Sequence, residues 1–327
     1  MTNPNQTSDK ERLLARLLFW LLLVFLSTGI FLAYISEGYI SGLWRYEPGL
    51  RLEAFLNGTA YKPYVLRVLA PLLIKAATAL VPNDPKFYAA VVMYLSLIGF
   101  VLALRYLIHT FWSPSSATDF WVLLSLPALT PLMLINGHIY DLPALFLFTL
   151  ELALLWRGRF KTFLLLYPIA CLNKETTILL TLVFAVCLYN RIERRQFLTW
   201  LIVQVAIYVV IRFALLWTFR DNPGPVAEYH LPDQIAFILK APGLVSIYAL
   251  FGVVVLALML HDIASKPHEL KQAALVTIPP LVILFLFFGG ALEIRVFYEA
   301  FPIAYALAIP TLSNLTSWKV EPVRRTS

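Results

Sequence analysis

Charged side chains are scarce in this chain. Asp, Glu, Lys and Arg make up only 14% of its 327 residues, where soluble domains carry about 25%. That deficit, beside a hydrophobic content of 60%, excludes an ordinary soluble enzyme. Cysteine is nearly absent. Cys171 and Cys187 both sit in apolar helical stretches and fit no metal spacing, so neither a disulfide framework nor a zinc site is implied. No Walker loop, dinucleotide fingerprint or His-Glu-x-x-His pair occurs, so no nucleotide cofactor is expected and no metal ligand set can be named. No internal repeat is evident, which withholds support from an inverted-repeat transporter. Long polar segments are missing too, leaving no room for a soluble domain. The net charge of +7 lies mostly in short loops flanking apolar runs. It is the signature of membrane orientation rather than of a nucleic-acid partner.

Long apolar stretches remain. Each transmembrane helix needs about 20 apolar residues, and the chain holds about eight to ten such runs. The expected fold is therefore all-α: a single transmembrane domain over residues 1–327, a polytopic helical bundle. The run from Leu13 to about Ile35 is too long for a signal-peptide core and reads as an uncleaved first helix. Clean spans follow near 87–110, 120–136, 139–156, 197–219, 241–262, 273–290 and 301–317. Two elements are irregular. Residues 63–81 are apolar but carry Arg67 and Lys75, eight apart and so on nearly one helix face, which suggests an interfacial or re-entrant helix within an outer loop at 36–86. Thr162–Tyr189 is interrupted by Asn173-Lys174-Glu175-Thr176 and reads as a hairpin of two half-helices with this tetrad at its tip. The basic loops at Arg157–Lys161 and Arg191–Arg195 belong inside the cell. The parity then places both termini in the cytoplasm, as in a bacterial inner (plasma) membrane, provided that the two irregular elements do not cross.

This orientation gathers the mixed-charge segments on the outer face: loop 36–86, Gly137-His138-Ile139-Tyr140-Asp141, the 173–176 tetrad, loop 220–240, and Glu293-Ile294-Arg295-Val296-Phe297-Tyr298-Glu299. Charges at membrane depth need partners or water. One reading is ordinary interfacial caps and ion pairs, with Arg67 meeting Glu53, Lys174 meeting Glu175, and Arg295 meeting Glu293 or Glu299. The other is a polar cavity opening outward. There, Glu47 or Glu53 accepts a proton from a hydroxyl, and Arg67, Lys174 and Arg295 hold a phosphate. His138 serves as a sugar ligand or acid, or as a structural hydrogen-bonder. Loop 220–240, with Asp221, Glu228, His230 and Asp233, is either a lid or a solvated loop. Arg212, inside a span, needs a partner or must snorkel outward.

Three segments resemble the GT-C superfamily of polytopic glycosyltransferases, which use polyprenyl-phosphate sugars. Arg45-Tyr46-Glu47 through Arg67 to Pro71-Leu72-Leu73 looks like their first outer loop, although the usual Asp-x-Asp is replaced by the separated acids Glu47 and Glu53. Gly137-His138-Ile139-Tyr140-Asp141 is similar to the Gly-His-Phe-Gln-Tyr-Asn signature of dolichyl-phosphate-glucose-dependent members. Leu172-Asn173-Lys174-Glu175-Thr176 looks like the Lys-Gln-Met element that follows it. The chain also resembles a group of small bacterial membrane proteins without an assigned activity. They pair Arg-Val-Leu-x-Pro (Arg67 to Pro71 here) with Asn-Arg-Glu-Thr (Asn173 to Thr176) and a late Glu-x-Arg (Glu293 and Arg295).

The resemblance implies inverting glycosyl transfer from a polyprenyl-phosphate-linked sugar at the outer face. Glu47 or Glu53 would act as base, and Arg67, Lys174 and Arg295 would stabilise the leaving phosphate. Asp141, His138, Glu175, Glu293, Tyr298 and Glu299 would complete the substrate site. A divalent cation between outer-loop carboxylates stays open. The expected partners are membrane lipids and the lipid-linked sugar. The alternatives are a transporter or lipid flippase of the envelope, whose charges would lie at the midplane of several spans, and a non-catalytic membrane scaffold.

Overall fold

The computed structural model describes residues 9–36, 50–133, 137–290 and 293–323. Among these the fold is all-helical, with no β-strand. The helices run α1 Asp9–Ser36, α2 Leu52–Asn57, α3 Leu69–Leu80, α4 Pro85–Ile108, α5 Ser116–Met133, α6 Asp141–Trp156, α7 Phe160–Asn173, α8 Ile178–Leu188, α9 Arg194–Thr218, α10 Leu231–Lys240, α11 Pro242–Leu260, α12 His268–Phe288 and α13 Phe301–Asn314. Three 3-10 turns matter for the site or its rim: Tyr64–Leu66, Glu175–Thr177 and Ile294–Tyr298.

Five segments are long and apolar enough to cross a membrane: Leu13–Ser36, Pro85–Ile108, Arg194–Thr218, Pro242–Leu260 and His268–Phe288. The protein is thus an integral membrane protein. Large apolar side chains stand exposed on these helices, among them Phe25, Val210, Phe213, Leu250 and Val253, as a hydrocarbon surrounding permits. The sequence predicts about eight to ten apolar runs of spanning length, two of them irregular. The remaining helices are shorter, or carry prolines in their interiors, as α5 does at Pro127 and Pro131 and α7 at Pro168.

The chain entrances are chemically marked. Asp84 caps α4, accepting from the Lys86 N–H at 2.9 Å, and Pro85 occupies the first turn, where its missing donor has no consequence. The packed core runs through α4, α6, α7, α8 and α13, with Phe100, Leu104, Leu145, Leu180 and Ile303 fully buried. Residues 162–189 do fold back on themselves. The Tyr167 hydroxyl on α7 meets the Thr181 hydroxyl on α8 at 2.6 Å, and Phe160 meets Phe184 edge-on at 6.0 Å. At 1.5 Å per residue α7 is about 21 Å long, shorter than a hydrocarbon core of about 30 Å.

Residues 63–81 differ from expectation. Only Leu69–Leu80 is α-helical, and Arg67 lies ahead of it, at the end of the Tyr64–Leu66 turn with φ −104° and ψ 73°. Arg67 and Lys75 therefore share no helix face: Arg67 is buried and Lys75 is exposed. The turn breaks the period that the spacing implied.

Candidate functional site

All the described polar segments expected on the outer face converge at one end of the bundle. The Val68 N–H donates to Leu172 O at 3.0 Å, fastening the Arg67 segment to the end of α7. The Asn173 side-chain amide donates to Tyr140 O at 3.0 Å, fastening the hairpin tip to the start of α6. Thr176 donates to Glu299 at 2.5 Å, joining the tip to the last segment.

Three ion-pair centres result. Arg67 presents Nε and Nη2 to the two oxygens of Glu175, at 3.2 and 2.5 Å, a two-pronged match of guanidinium and carboxylate. Lys174 meets Glu299 at 2.9 Å, both nearly fully buried. Arg295, 4% exposed, directs Nη1 to Asp141 at 3.1 Å and to the Tyr140 hydroxyl at 3.3 Å, while Nη2 donates to Glu293. The pairing of Arg295 with Glu293 follows the sequence expectation; the other two pairings do not. Arg67 takes Glu175 rather than Glu53, and Lys174 takes Glu299 rather than its neighbour Glu175. The reason is local. Lys174 is extended (φ −156°, ψ 144°), so consecutive side chains point to opposite sides. Lys174 faces α13's entrance and Glu175 faces Arg67.

An aromatic box backs these charges. The Arg67 guanidinium lies over the Tyr140 ring at 4.4 Å. His138 stacks on Tyr140 at 5.0 Å and also touches the rings of Tyr64 and Phe55. The Asp141 carboxylate accepts from the His138 backbone N–H at 2.7 Å at the start of α6, where a helix favours negative charge. Tyr298 is fully buried and its hydroxyl faces Leu132 O at 3.5 Å. The 3-10 spacing of three residues per turn puts Arg295 and Tyr298 on one inward side.

Glu293 bridges Arg295 and the Gly290 N–H, the latter at 2.6 Å. Burial alone would push its carboxyl up; Arg295 and the Gly290 donor outweigh that and hold it below the usual carboxylate range. Beside it, the Gln234 amide of α10 donates to Gly289 O at 2.9 Å and Gly290 O at 3.0 Å. The other end of the 220–240 loop is fastened by Lys62 N–H to Pro223 O at 2.8 Å and by the Asn222 amide to Gly58 O and Ala60 O. The loop is therefore fastened at both ends beside the cluster.

His230 sits in this loop between Asp233 at 2.9 Å and Glu228 at 3.2 Å. Its pKa is raised, first by the hydrogen bond to Asp233, with burial opposing and Glu228 adding. A raised histidine pKa stabilises the fold fully below its unfolded value, about 6.5. The contribution fades as pH rises through the folded value. Amide exchange in Leu231–Lys240, corrected for intrinsic rates, should therefore accelerate as pH is raised past that range. His230→Gln should flatten the profile; an unchanged profile in the variant would contradict this role.

The remaining expected residues divide. Glu53 is exposed on the first turn of α2, two residues before Phe55, which packs against His138 and Tyr140. Glu47 lies outside the described residues. Among those described, no three His, Cys, Asp or Glu side chains gather as a metal cluster. Glu151 is buried with neither oxygen partnered; it is ten residues, about 15 Å, down α6 from Asp141. Arg212 has a buried Nη1 without a partner, one helical turn beyond Tyr208, whose hydroxyl donates to Glu175 O at 3.1 Å. Sequence reading missed Tyr140, Tyr64 and Tyr208 as members of the site. Tyr140 carried a signal, since it lies within the quoted 137–141 motif; Tyr208 carried none, being one aromatic in a long apolar helix.

Space at the cluster is small. A void of about 10 Å³ is bounded by Asn173, Lys174, Thr176 and Glu299, about enough for one water. A cleft of about 440 Å³ opens at the opposite end, between Trp112, Pro267, Glu269, Ser313 and Pro322, and none of the expected residues line it. The chain matches no protein-family model, no curated protein and no solved structure.

Proposed function

We propose that the charged end of the bundle binds a polyprenyl-phosphate-linked sugar and transfers the sugar, with inversion, to an acceptor hydroxyl on the outer membrane face. The observation that carries this reading is the convergence of Arg67 and Arg295 on Tyr140 and Asp141 at one end of the helices, with Lys174 on the adjoining hairpin tip, which Asn173 fastens to Tyr140 O. Such preorganised cations stabilise charge that develops on a leaving phosphate. In the step itself a carboxylate, Glu47 or Glu53, removes the acceptor proton as the acceptor oxygen attacks the anomeric carbon. The bond from that carbon to the phosphate oxygen breaks, and the polyprenyl phosphate departs with the electron pair. His138, Glu175, Glu293, Tyr298 and Glu299 shape the surrounding walls. The α7–α8 hairpin, too short to cross on its own, sets its polar tip below the outer surface, within reach of a lipid headgroup.

The test uses protein in nanodiscs and a panel of radiolabelled polyprenyl-phosphate sugars. Wild type should transfer or release sugar. Glu47→Gln or Glu53→Gln should lower the rate by about 100-fold or more while binding persists. No turnover or binding with any lipid-linked sugar would end this reading. The transporter or flippase alternative draws on Glu151, Gln204 and Arg212, which place polar atoms without partners inside the helices. Substrate flux in liposomes without sugar transfer would select it. Retained function in every acid variant would select a scaffold.

A further inference from the structure

The three cations are not equivalent. Arg67 has both donors of its Nε–Nη2 edge taken by Glu175. Lys174 is buried against Glu299 and held beside Thr176. Arg295 differs: Nη2 of the same edge donates to Glu293, but Nε is buried and has no partner. A guanidinium edge with parallel N–H groups is built for two acceptor oxygens, and Glu293 satisfies only one of them. The second carboxylate on Arg295, Asp141, is fully buried and tied to the His138 N–H. Glu293 is the more accessible of the two, at 19% side-chain exposure against 0%.

We propose that the Nε–Nη2 edge of Arg295 is the anion-holding edge of the site, that Glu293 occupies it as an internal substitute, and that the phosphate group of a lipid-linked phosphate ester displaces Glu293 by engaging both donors. The identity of the anion rests on the transferase reading above; the displacement does not. Its consequence is conformational. Glu293 also holds the Gly290 N–H, and the carbonyls of Gly289 and Gly290 hold Gln234 of α10. Moving Glu293 off Arg295 therefore loosens the loop on which α10 is fastened. The cluster, which encloses room for about one water, opens on the α10 side as the anion docks. Arg67, with both donors of its own Nε–Nη2 edge on Glu175, also positions the hairpin tip beside that of Arg295.

The experiment compares wild type and Glu293→Gln in nanodiscs, with farnesyl phosphate and inorganic phosphate as probes. Affinity and amide exchange of residues 228–240 are read together. The neutral amide competes less well for the guanidinium, so Glu293→Gln should bind farnesyl phosphate roughly tenfold tighter than wild type. Exchange in 228–240 should rise in wild type on adding the ligand, toward the level the variant shows without it. If wild type binds farnesyl phosphate and the variant binds it no tighter, the displacement is overturned and the transferase reading survives. If inorganic phosphate binds the variant more tightly and farnesyl phosphate binds neither protein, the displacement stands and the lipid-phosphate reading falls. If neither probe binds either protein, both fall. Should Glu293→Gln fail to fold, Gln234→Ala serves instead: it removes the α10 fastening without touching Glu293. It should tighten farnesyl phosphate several-fold, and unchanged affinity would overturn the coupling.

Discussion

Replacing Glu299 with Leu is expected to destabilise the protein by about 3–5 kcal/mol, because it leaves the buried Lys174 ammonium without its counter-charge. Both side chains of this pair are nearly fully buried and 2.9 Å apart. Thr176, which donates to Glu299 at 2.5 Å, would lose its acceptor as well, an additional cost of about 1–3 kcal/mol if it finds no other. Lys174→Met alone should do comparable damage by leaving a carboxylate unpaired. The double variant Lys174→Met/Glu299→Leu is the informative one. It removes both charges and both desolvation costs, so its stability should lie well above the sum of the single losses and much nearer to wild type. Equilibrium unfolding of the four proteins in mixed micelles measures the coupling. Additive losses would show that the pair is not the unit drawn here. A double variant that folds but has lost sugar transfer would separate the structural role of the pair from its chemical one.

The second large effect is expected at Gly137. A Cβ there would stand 1.6 Å from the Tyr34 hydroxyl oxygen and 2.7 Å from the ring carbon that carries it. Neither position is tolerable, so the buried Tyr34 side chain or the start of the His138–Asp141 turn must move. Overpacking of this kind costs about 1–3 kcal/mol and occasionally more. The turn that follows Gly137 also carries the Asp141 carboxylate that meets Arg295. Gly137→Ala should therefore lower stability and disrupt the charged cluster together. Tyr34→Phe tests the geometry from the other side. The Tyr34 hydroxyl is buried without a partner, so removing it should leave stability unchanged or raise it. In combination with Gly137→Ala it should restore only part of the loss, because the ring carbon still lies too close. Full rescue, or no effect of Gly137→Ala on the melting temperature, would refute the contact.

Much of this arrangement was legible beforehand. The Gly137–Asp141 motif, the Asn173–Thr176 tetrad and the Glu293–Glu299 segment were visible as polar interruptions of apolar runs. A membrane chain cannot scatter charge freely, so their rarity made them conspicuous. The hairpin of residues 162–189 was legible for the same reason: two apolar halves, each too short to span, flank four polar residues. Who pairs with whom was not legible. Sequence neighbours suggested Lys174 with Glu175, but one extended residue turns them apart, and the partners come from residues 108 and 125 positions away. Arg67 and Lys75 looked like one helix face because eight residues is near two turns, and the Tyr64–Leu66 turn breaks that count. Tyr208 enters the site only because α9 packs across the hairpin tip, and nothing in its own neighbourhood announces that.

The sequence by itself determined an all-helical membrane protein with its polar chemistry gathered at one end, because burying charge in hydrocarbon is so costly that composition and spacing alone must obey it. The tertiary structure alone decided which carboxylate meets which cation, which guanidinium edge keeps an unmet donor, and where the 220–240 loop is fastened. Those outcomes depend on distances of a few ångströms between segments far apart in the chain. Ion pairing and hydrogen bonding are set at that range, and no local pattern of residues records it.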